Sequence, residues 1–147
     1  MIGNIIKART FAAVAHSGQK DDNGDDYYMS HLIPVFNAVT EFTNDEEVWM
    51  AAILHDTIED TDVTYEKLVE EFGKRVADLV NEVTHEGKAD DYGFYFPRLK
   101  TADGILIKLC DRVSNISRMQ NWTEKRKAHY LSRTKFWKSE GPKDGLD

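Results

Sequence analysis

Six consecutive apolar residues, Trp49-Met50-Ala51-Ala52-Ile53-Leu54, run straight into His55-Asp56-Thr57-Ile58-Glu59-Asp60. Groups able to bind a metal or move a proton therefore crowd the end of a segment that must be buried. On a helix, residues four apart share a face, which pairs His55 with Glu59 and Asp56 with Asp60. His55 and Asp56 point about 100° apart, close enough for both to reach one ion. The helix is expected to begin near Asn44-Asp45-Glu46-Glu47, which puts the cluster at its C-terminal end. The macrodipole is negative there, and exposed carboxylates would each be misplaced by about 0.3–1 kcal/mol. A bound cation would remove that conflict; the plain alternative is a solvated acidic helix end.

A length of 147 residues fits one domain with a real core, read as residues 1–140, followed by a polar tail at 141–147. The net charge of −7 argues against a nucleic-acid-binding surface. A small polyanion remains an admissible ligand if a metal and a few local cations receive it. Cys110 is the only cysteine, so no intrachain disulfide forms and a reducing compartment is expected. Its place after Ile105-Leu106-Ile107-Lys108-Leu109 suggests a buried thiol rather than a nucleophile. The segment Met1 to Ala15 lacks the apolar core of a signal peptide, and no run approaches the roughly 20 residues that span a bilayer. A cytoplasmic protein without a membrane partner is the expectation.

Helical spacing runs through most of the chain. Ile2 to His16 forms a first helix stopped by Ser17-Gly18, and Gln19 to Asp26 is a polar loop with an Asn23-Gly24 turn. Ser30 is the expected cap of a second helix, with His31 just inside and Pro34 in its first turn. The third helix carries the His55-Asp56 cluster. Thr64 caps a fourth, Tyr65 to Phe72, which Gly73 ends, and Arg75 to Val83 forms a fifth. His85 to Phe96 reads as a loop or lid. Pro97 opens a sixth helix, Arg98 to about Met119; Ile105-Leu106-Ile107 could pass for a strand, but no second strand candidate exists for it to pair with. A seventh runs from Thr123-Glu124 to about Lys138. The expected architecture is all-α, six or seven helices around one core.

Two further residues complete a candidate metal set. His31 opens the second helix, where a lone histidine is usually a surface residue. Asp111 lies within a helix behind an apolar run and is costly there unless paired, with Lys108 or Arg112 as the plain partners. Together, His31, His55, Asp56 and Asp111 supply two imidazoles and two carboxylates, a set suited to manganese, iron or zinc. Thiolate ligands are absent, which disfavours a structural zinc site.

In the order His31, His55-Asp56, Asp111 the chain resembles the HD metal-dependent phosphohydrolase superfamily. More narrowly, Leu54-His55-Asp56-Thr57-Ile58-Glu59-Asp60-Thr61 is similar to the hydrolase domain of the Rel/Spo alarmone enzymes and their small single-domain relatives. Supporting matches are Ala15-His16-Ser17-Gly18-Gln19, Tyr28-Met29-Ser30-His31, Phe72-Gly73, and Ile107-Lys108-Leu109-Cys110-Asp111-Arg112 with Asn115. Trp122-Thr123-Glu124 with Arg126 and Tyr130 resembles the last helix of the metazoan-type members. The resemblance implies an HD-domain helical bundle and one manganese ion held by His31, His55, Asp56 and Asp111. It also implies a small nucleotide partner, guanosine tetra- or pentaphosphate, losing its 3′-pyrophosphate. Glu59 and Asp60 would position and deprotonate the attacking water. Asn115 would face the ribose, and Arg126 and Tyr130 would meet the 5′-phosphates.

The chain departs from the family where a basic pair usually meets the base: Lys20 is followed by Asp21-Asp22, leaving at most one cation. Tyr27 replaces a proline, and the usual His-Asn-x-Arg after Asp111-Arg112 reads Ser114-Asn115-Ile116-Ser117, with Arg118 one step later. The expectation is retained hydrolysis with an altered base contact. The alternatives are the same scaffold acting on another phosphorylated nucleotide, and a non-catalytic nucleotide-binding module.

Overall fold

The computed structural model describes residues 2–84 and 99–132. Among them the backbone is helical, apart from loops and one isolated antiparallel bridge between Lys20 and Asp26. The helices are α1 (Ile2–Ala15), α2 (Ile33–Thr40), α3 (Glu46–Leu54), α4 (Thr57–Asp60), α5 (Tyr65–Phe72), α6 (Lys74–Val83), α7 (Ala102–Ile116) and α8 (Glu124–Ser132), with a π-helical turn, Tyr28–Leu32, leading into α2. The all-α expectation holds. The extra helix arises because the expected third helix is broken in two.

α3 is the hub. Val48 and every residue from Met50 to Leu54 are buried, and α3 packs against α1, α2, α6 and α7. A helix apolar on all sides belongs in the middle of a bundle, because no face of it can be left in water. Its start is the expected one: the Asp45 carboxylate accepts from the Glu47 N–H at 3.0 Å, and Glu46 and Glu47 lie in the first turn. Its end is not. The Leu54 carbonyl accepts from Thr57 Oγ1 at 2.8 Å and the Ala52 carbonyl from His55 Nδ1 at 2.7 Å, so the helix stops in a buried place with these carbonyls satisfied. Asp56 (φ −100°, ψ 3°) turns the chain into α4. Glu59 and Asp60 therefore close a new single-turn helix rather than extending α3.

Other boundaries follow the local chemistry. Thr64 accepts from the Lys67 N–H at 3.1 Å, and Gly73, at φ +95°, joins α5 to α6 in a conformation that disfavours side chains. Ser30 does not cap the second helix; the chain is already helical at Tyr27, and Asp26 Oδ2 accepts from the Met29 N–H at 3.1 Å. α7 begins at Ala102, later than expected, capped by Thr101 Oγ1 receiving the Gly104 N–H at 3.0 Å, and it ends at Ile116. Ile105-Leu106-Ile107 is helical. The His85 to Phe96 loop, Pro97 and Arg98, and residues 133–147 with the tail lie outside the described residues. Cys110 is a buried free thiol, as expected. No described helix is long and apolar enough to cross a membrane.

The start of α7 has a built-in contact with α6. The Glu82 carboxylate is buried and accepts from the Thr101 N–H at 3.2 Å and the Thr101 hydroxyl at 2.5 Å. Gly104 leaves the space that carboxylate occupies, since an added Cβ would overlap Glu82 Oε1. Gly104→Ala should destabilise the fold by about 1–3 kcal/mol, the usual cost of overpacking, and denaturant unfolding reads the change. A midpoint equal to wild type would mean that Glu82 can leave this position without cost.

Candidate functional site

Three separate elements carry one cluster. His31 comes from the π-helical turn, His55 ends α3, Asp56 follows it, and Asp111 comes from α7. All four are buried, and one ligand atom from each lies within 4.8 Å of the others. His31 Nε2 is 2.9 Å from Asp111 Oδ1 and 3.5 Å from Asp56 Oδ2; His55 Nε2 is 3.2 Å from Asp56 Oδ2 and 3.3 Å from Asp111 Oδ1. The fold thus assembles the four residues the sequence singled out.

The surroundings aim these atoms inward. A carbonyl oxygen only accepts, so the Ala52 contact puts a proton on His55 Nδ1 and turns Nε2 toward the Asp56 and Asp111 carboxylates. His31 Nδ1 lies 2.8 Å from Ser114 Oγ, and its buried Nε2 faces Asp111 Oδ1 at 2.9 Å. Asp111 serves both readings of its position, with Oδ1 toward the two imidazoles and Oδ2 3.1 Å from Lys108 Nζ. Burial opposes its charge, yet Lys108 and the imidazoles hold its carboxyl well below the usual range. Burial likewise opposes a charged His55, and the Asp56 and Asp111 carboxylates overcome it, raising His55 well above an ordinary histidine. Anions that stabilise a proton there stabilise a divalent cation in its place. The donor set and the convergence of both Nε2 atoms with the two carboxylates fit a divalent ion.

Ser114 was missed as a contributor because the pattern places a different residue type there. Arg118 Nη2, which only donates, reaches the same Nδ1 at 2.8 Å; for His31 Nε2 to face an ion, Arg118 must give way, Nδ1 must carry the proton, and Ser114 Oγ is placed to accept it. Ser114→Ala should weaken divalent-ion affinity about 10–100-fold, measured by competition with a chelating dye. Unchanged affinity would mean that Ser114 does not orient the ligand.

Tyr27 was also missed. Its hydroxyl donates to Asp56 Oδ2 at 2.6 Å, and its ring lies 5.1 Å from that of His31. Burial and the Asp56 charge push its phenol far up, so it stays a donor. Its spacing of four from His31 was the available signal. Glu59 and Asp60 are both exposed on α4, outside the four-residue cluster. Partial desolvation and the Asp56 charge raise the Asp60 carboxyl above the ordinary range, and Gln19 Nε2 donates to its Oδ2 at 3.2 Å.

The expected substrate residues Lys20, Asn115, Arg126 and Tyr130 make protein contacts of their own. Lys20 is exposed on the bridge to Asp26. Asn115 Nδ2 donates to the Tyr130 hydroxyl at 3.0 Å, and its Oδ1 accepts from Arg118 at 2.7 Å. Tyr130 is buried, which pushes its phenol up to about 12. Arg126 lies 3.7 Å over the Trp122 ring and 3.6 Å from Asp22, whose carboxylate also accepts from Trp122 Nε1 at 2.8 Å. Asp21 accepts from Arg118 at 3.3 Å, and the same guanidinium reaches His31 Nδ1 at 2.8 Å. The acidic loop is therefore joined to the α7–α8 region, with Asp22 on the cation expected to meet phosphate.

The HD domain family profile matches residues 8–93, a span that contains His31, His55 and Asp56. The chain is 38% identical over 140 residues to the guanosine-3′,5′-bis(diphosphate) 3′-pyrophosphohydrolase of Aquifex aeolicus, covering 88% of this chain and 20% of that protein. It is 35% identical over 126 residues to the bifunctional (p)ppGpp synthase/hydrolase SpoT of Escherichia coli, covering 78% of this chain and 18% of that one. The chain thus spans about a fifth of the length of these long relatives. It is 33% identical to the shorter guanosine-3′,5′-bis(diphosphate) 3′-pyrophosphohydrolase MESH1 of Drosophila melanogaster, covering 86% of this chain and 78% of that protein. A solved structure described as "A metazoan ortholog of SpoT hydrolyzes ppGpp and plays a role in starvation responses" superposes with a TM-score of 0.77 at 30% identity, covering 90% of this chain and 82% of that one. With its helical bundle, its buried histidine–aspartate cluster and these matches, the chain belongs to the HD domain family.

Proposed function

We propose that this chain is a metal-dependent hydrolase that removes the 3′-pyrophosphate of guanosine tetra- or pentaphosphate, giving the 5′-di- or triphosphate and pyrophosphate. The observation that carries the reading is the buried set of His31, His55, Asp56 and Asp111 with the Glu59-Asp60 pair on the helix that follows. The likeness to MESH1, across most of both chains, supports the substrate. His31, His55, Asp56 and Asp111 would hold one ion, for which manganese is our assignment, since two imidazoles and two carboxylates suit a borderline divalent cation. When bound, such an ion polarises a phosphoryl oxygen and lowers the pKa of water.

The chain's own residues do the rest. Asp56 and Asp111 supply the negative charge that retains the cation, and Tyr27 keeps Asp56 turned by donating to its Oδ2. Asp60 and Glu59 take up and orient the attacking water, with an Asp60 oxygen receiving its proton; the raised Asp60 carboxyl is a stronger base than an ordinary aspartate. Arg126 would receive 5′-phosphate after leaving Asp22, and Asn115 and Tyr130 would support that side of the site from below. Lys20 is the remaining cation of the base-contacting loop. The buried free Cys110 and the absence of a spanning helix among the described residues suit our assignment to the cytoplasm.

A second reading, the same hydrolysis on another phosphorylated nucleotide, is favoured by Asp22 on Arg126. Incubating purified protein and manganese with a nucleotide panel separates the two. Guanosine tetraphosphate should yield guanosine diphosphate and pyrophosphate; turnover of other nucleotides with that one left intact would overturn the first reading.

A further inference from the structure

His16 is a buried histidine that the metal cluster does not use. It is 2% exposed, and its Nδ1 lies 2.7 Å from Gln19 Oε1. The other end of that amide, Gln19 Nε2, donates to Asp60 Oδ2 at 3.2 Å. An amide nitrogen only donates, and an ionised carboxylate only accepts. The Asp60 contact therefore turns the Gln19 oxygen toward His16, which must present Nδ1–H to it. The backbone pins the same residue at both ends: the Gln19 N–H donates to the His16 carbonyl at 2.9 Å, and the Gln19 carbonyl accepts from the Tyr27 N–H at 2.9 Å. Gly18, at φ +83°, makes the tight turn between His16 and Gln19 possible. A side chain held this firmly at its root and at both polar ends defines the position of whatever it bonds.

We propose that Gln19 is the positioning residue for Asp60, and that His16 locks the Gln19 amide in the orientation Asp60 needs. The inference rests on the reading of Asp60 as the carboxylate that handles water. Gln19 touches no reacting atom; it fixes the distance and angle at which Asp60 meets its proton. A misplacement of about 1 Å in such a group can cost roughly 100-fold in rate.

The test uses Gln19→Glu, which keeps the side-chain shape and an acceptor for His16 but replaces the donor to Asp60 with a like charge. We expect kcat for guanosine tetraphosphate to fall about 10–100-fold, with KM within twofold and with metal content and melting temperature unchanged. A packing role alone would tolerate this isosteric change. In an Asp60→Asn background the same substitution should add less than twofold, because the partner it acts through is gone. Asp60 should also titrate at higher pH in Gln19→Glu, followed through its carboxyl carbon resonance, a readout that needs no turnover. If Asp60→Asn abolishes turnover while Gln19→Glu leaves kcat and that titration untouched, the positioning inference falls alone. An equal loss in both backgrounds overturns it as well, since the effect then bypasses Asp60. Full turnover in Asp60→Asn instead overturns the reading of Asp60.

Discussion

Asp111→Ala is expected to abolish stoichiometric divalent-ion binding and, with it, all measurable hydrolysis. Asp111 Oδ1 is the atom nearest to His31 Nε2 in the cluster, and its carboxylate is the one contribution from α7. Removing it leaves His31, His55 and Asp56, a set with half the negative charge. The substitution also takes the Asp111 carboxylate away from the buried Lys108, and breaking a buried pair costs about 3–5 kcal/mol. The alanine variant should therefore keep its helix content by circular dichroism but melt earlier. Asp111→Asn preserves the shape and the contact distance to Lys108 while removing the charge, and guards against a variant that does not fold. Elemental analysis showing one ion per chain in both variants would remove Asp111 from the ligand set.

Glu59→Gln and Asp60→Asn should do the opposite: keep the ion and lose the chemistry. Both residues are exposed on α4, outside the four-residue cluster, so neither substitution changes its charge. A group that moves a proton in the transition state contributes about 10²–10⁴-fold, which is roughly 2.7–5.4 kcal/mol of barrier at 1.36 kcal/mol per factor of ten. Turnover numbers should fall within that range while metal content by elemental analysis stays at wild type. Loss of the ion from Glu59→Gln would make Glu59 a ligand and reassign the role of the pair.

The four-residue cluster was legible because each member carried a local anomaly: a histidine beside a helix start, a His-Asp pair behind six apolar residues, an aspartate inside an apolar helix. The caps of α3 and α5 were legible for the same reason, since Asp45 and Thr64 act on their own next turn. What escaped the sequence depends on partners far along the chain. Tyr27 matters because of Asp56, Ser114 because of His31, and Gln19 because of Asp60. The break after Leu54 escaped because His55 and Thr57 satisfy the helix end with side chains whose types do not announce it. The contact of Arg126 with Asp22 escaped the sequence in the same way. The acid comes from a loop about a hundred positions earlier, which spacing within α8 does not reveal.

The π-helical turn at Tyr28–Leu32 bears on how this stretch tolerates insertion and deletion. Its wider winding holds one more residue than an α-helical turn would, closed by the Ile33 N–H on the Tyr28 carbonyl. Deleting any one residue of the turn would let the segment relax into a regular helix. Everything on its N-terminal side, Tyr27 and the acidic loop included, would then swing by about 100° relative to α2. Tyr27 would leave Asp56, and Asp21 would leave Arg118, although no residue of the metal cluster need have changed. Exposed Met29 can be exchanged for another side chain without moving any of these groups. What this stretch must keep is its length, and at His31 and Leu32, both buried, its lettering as well.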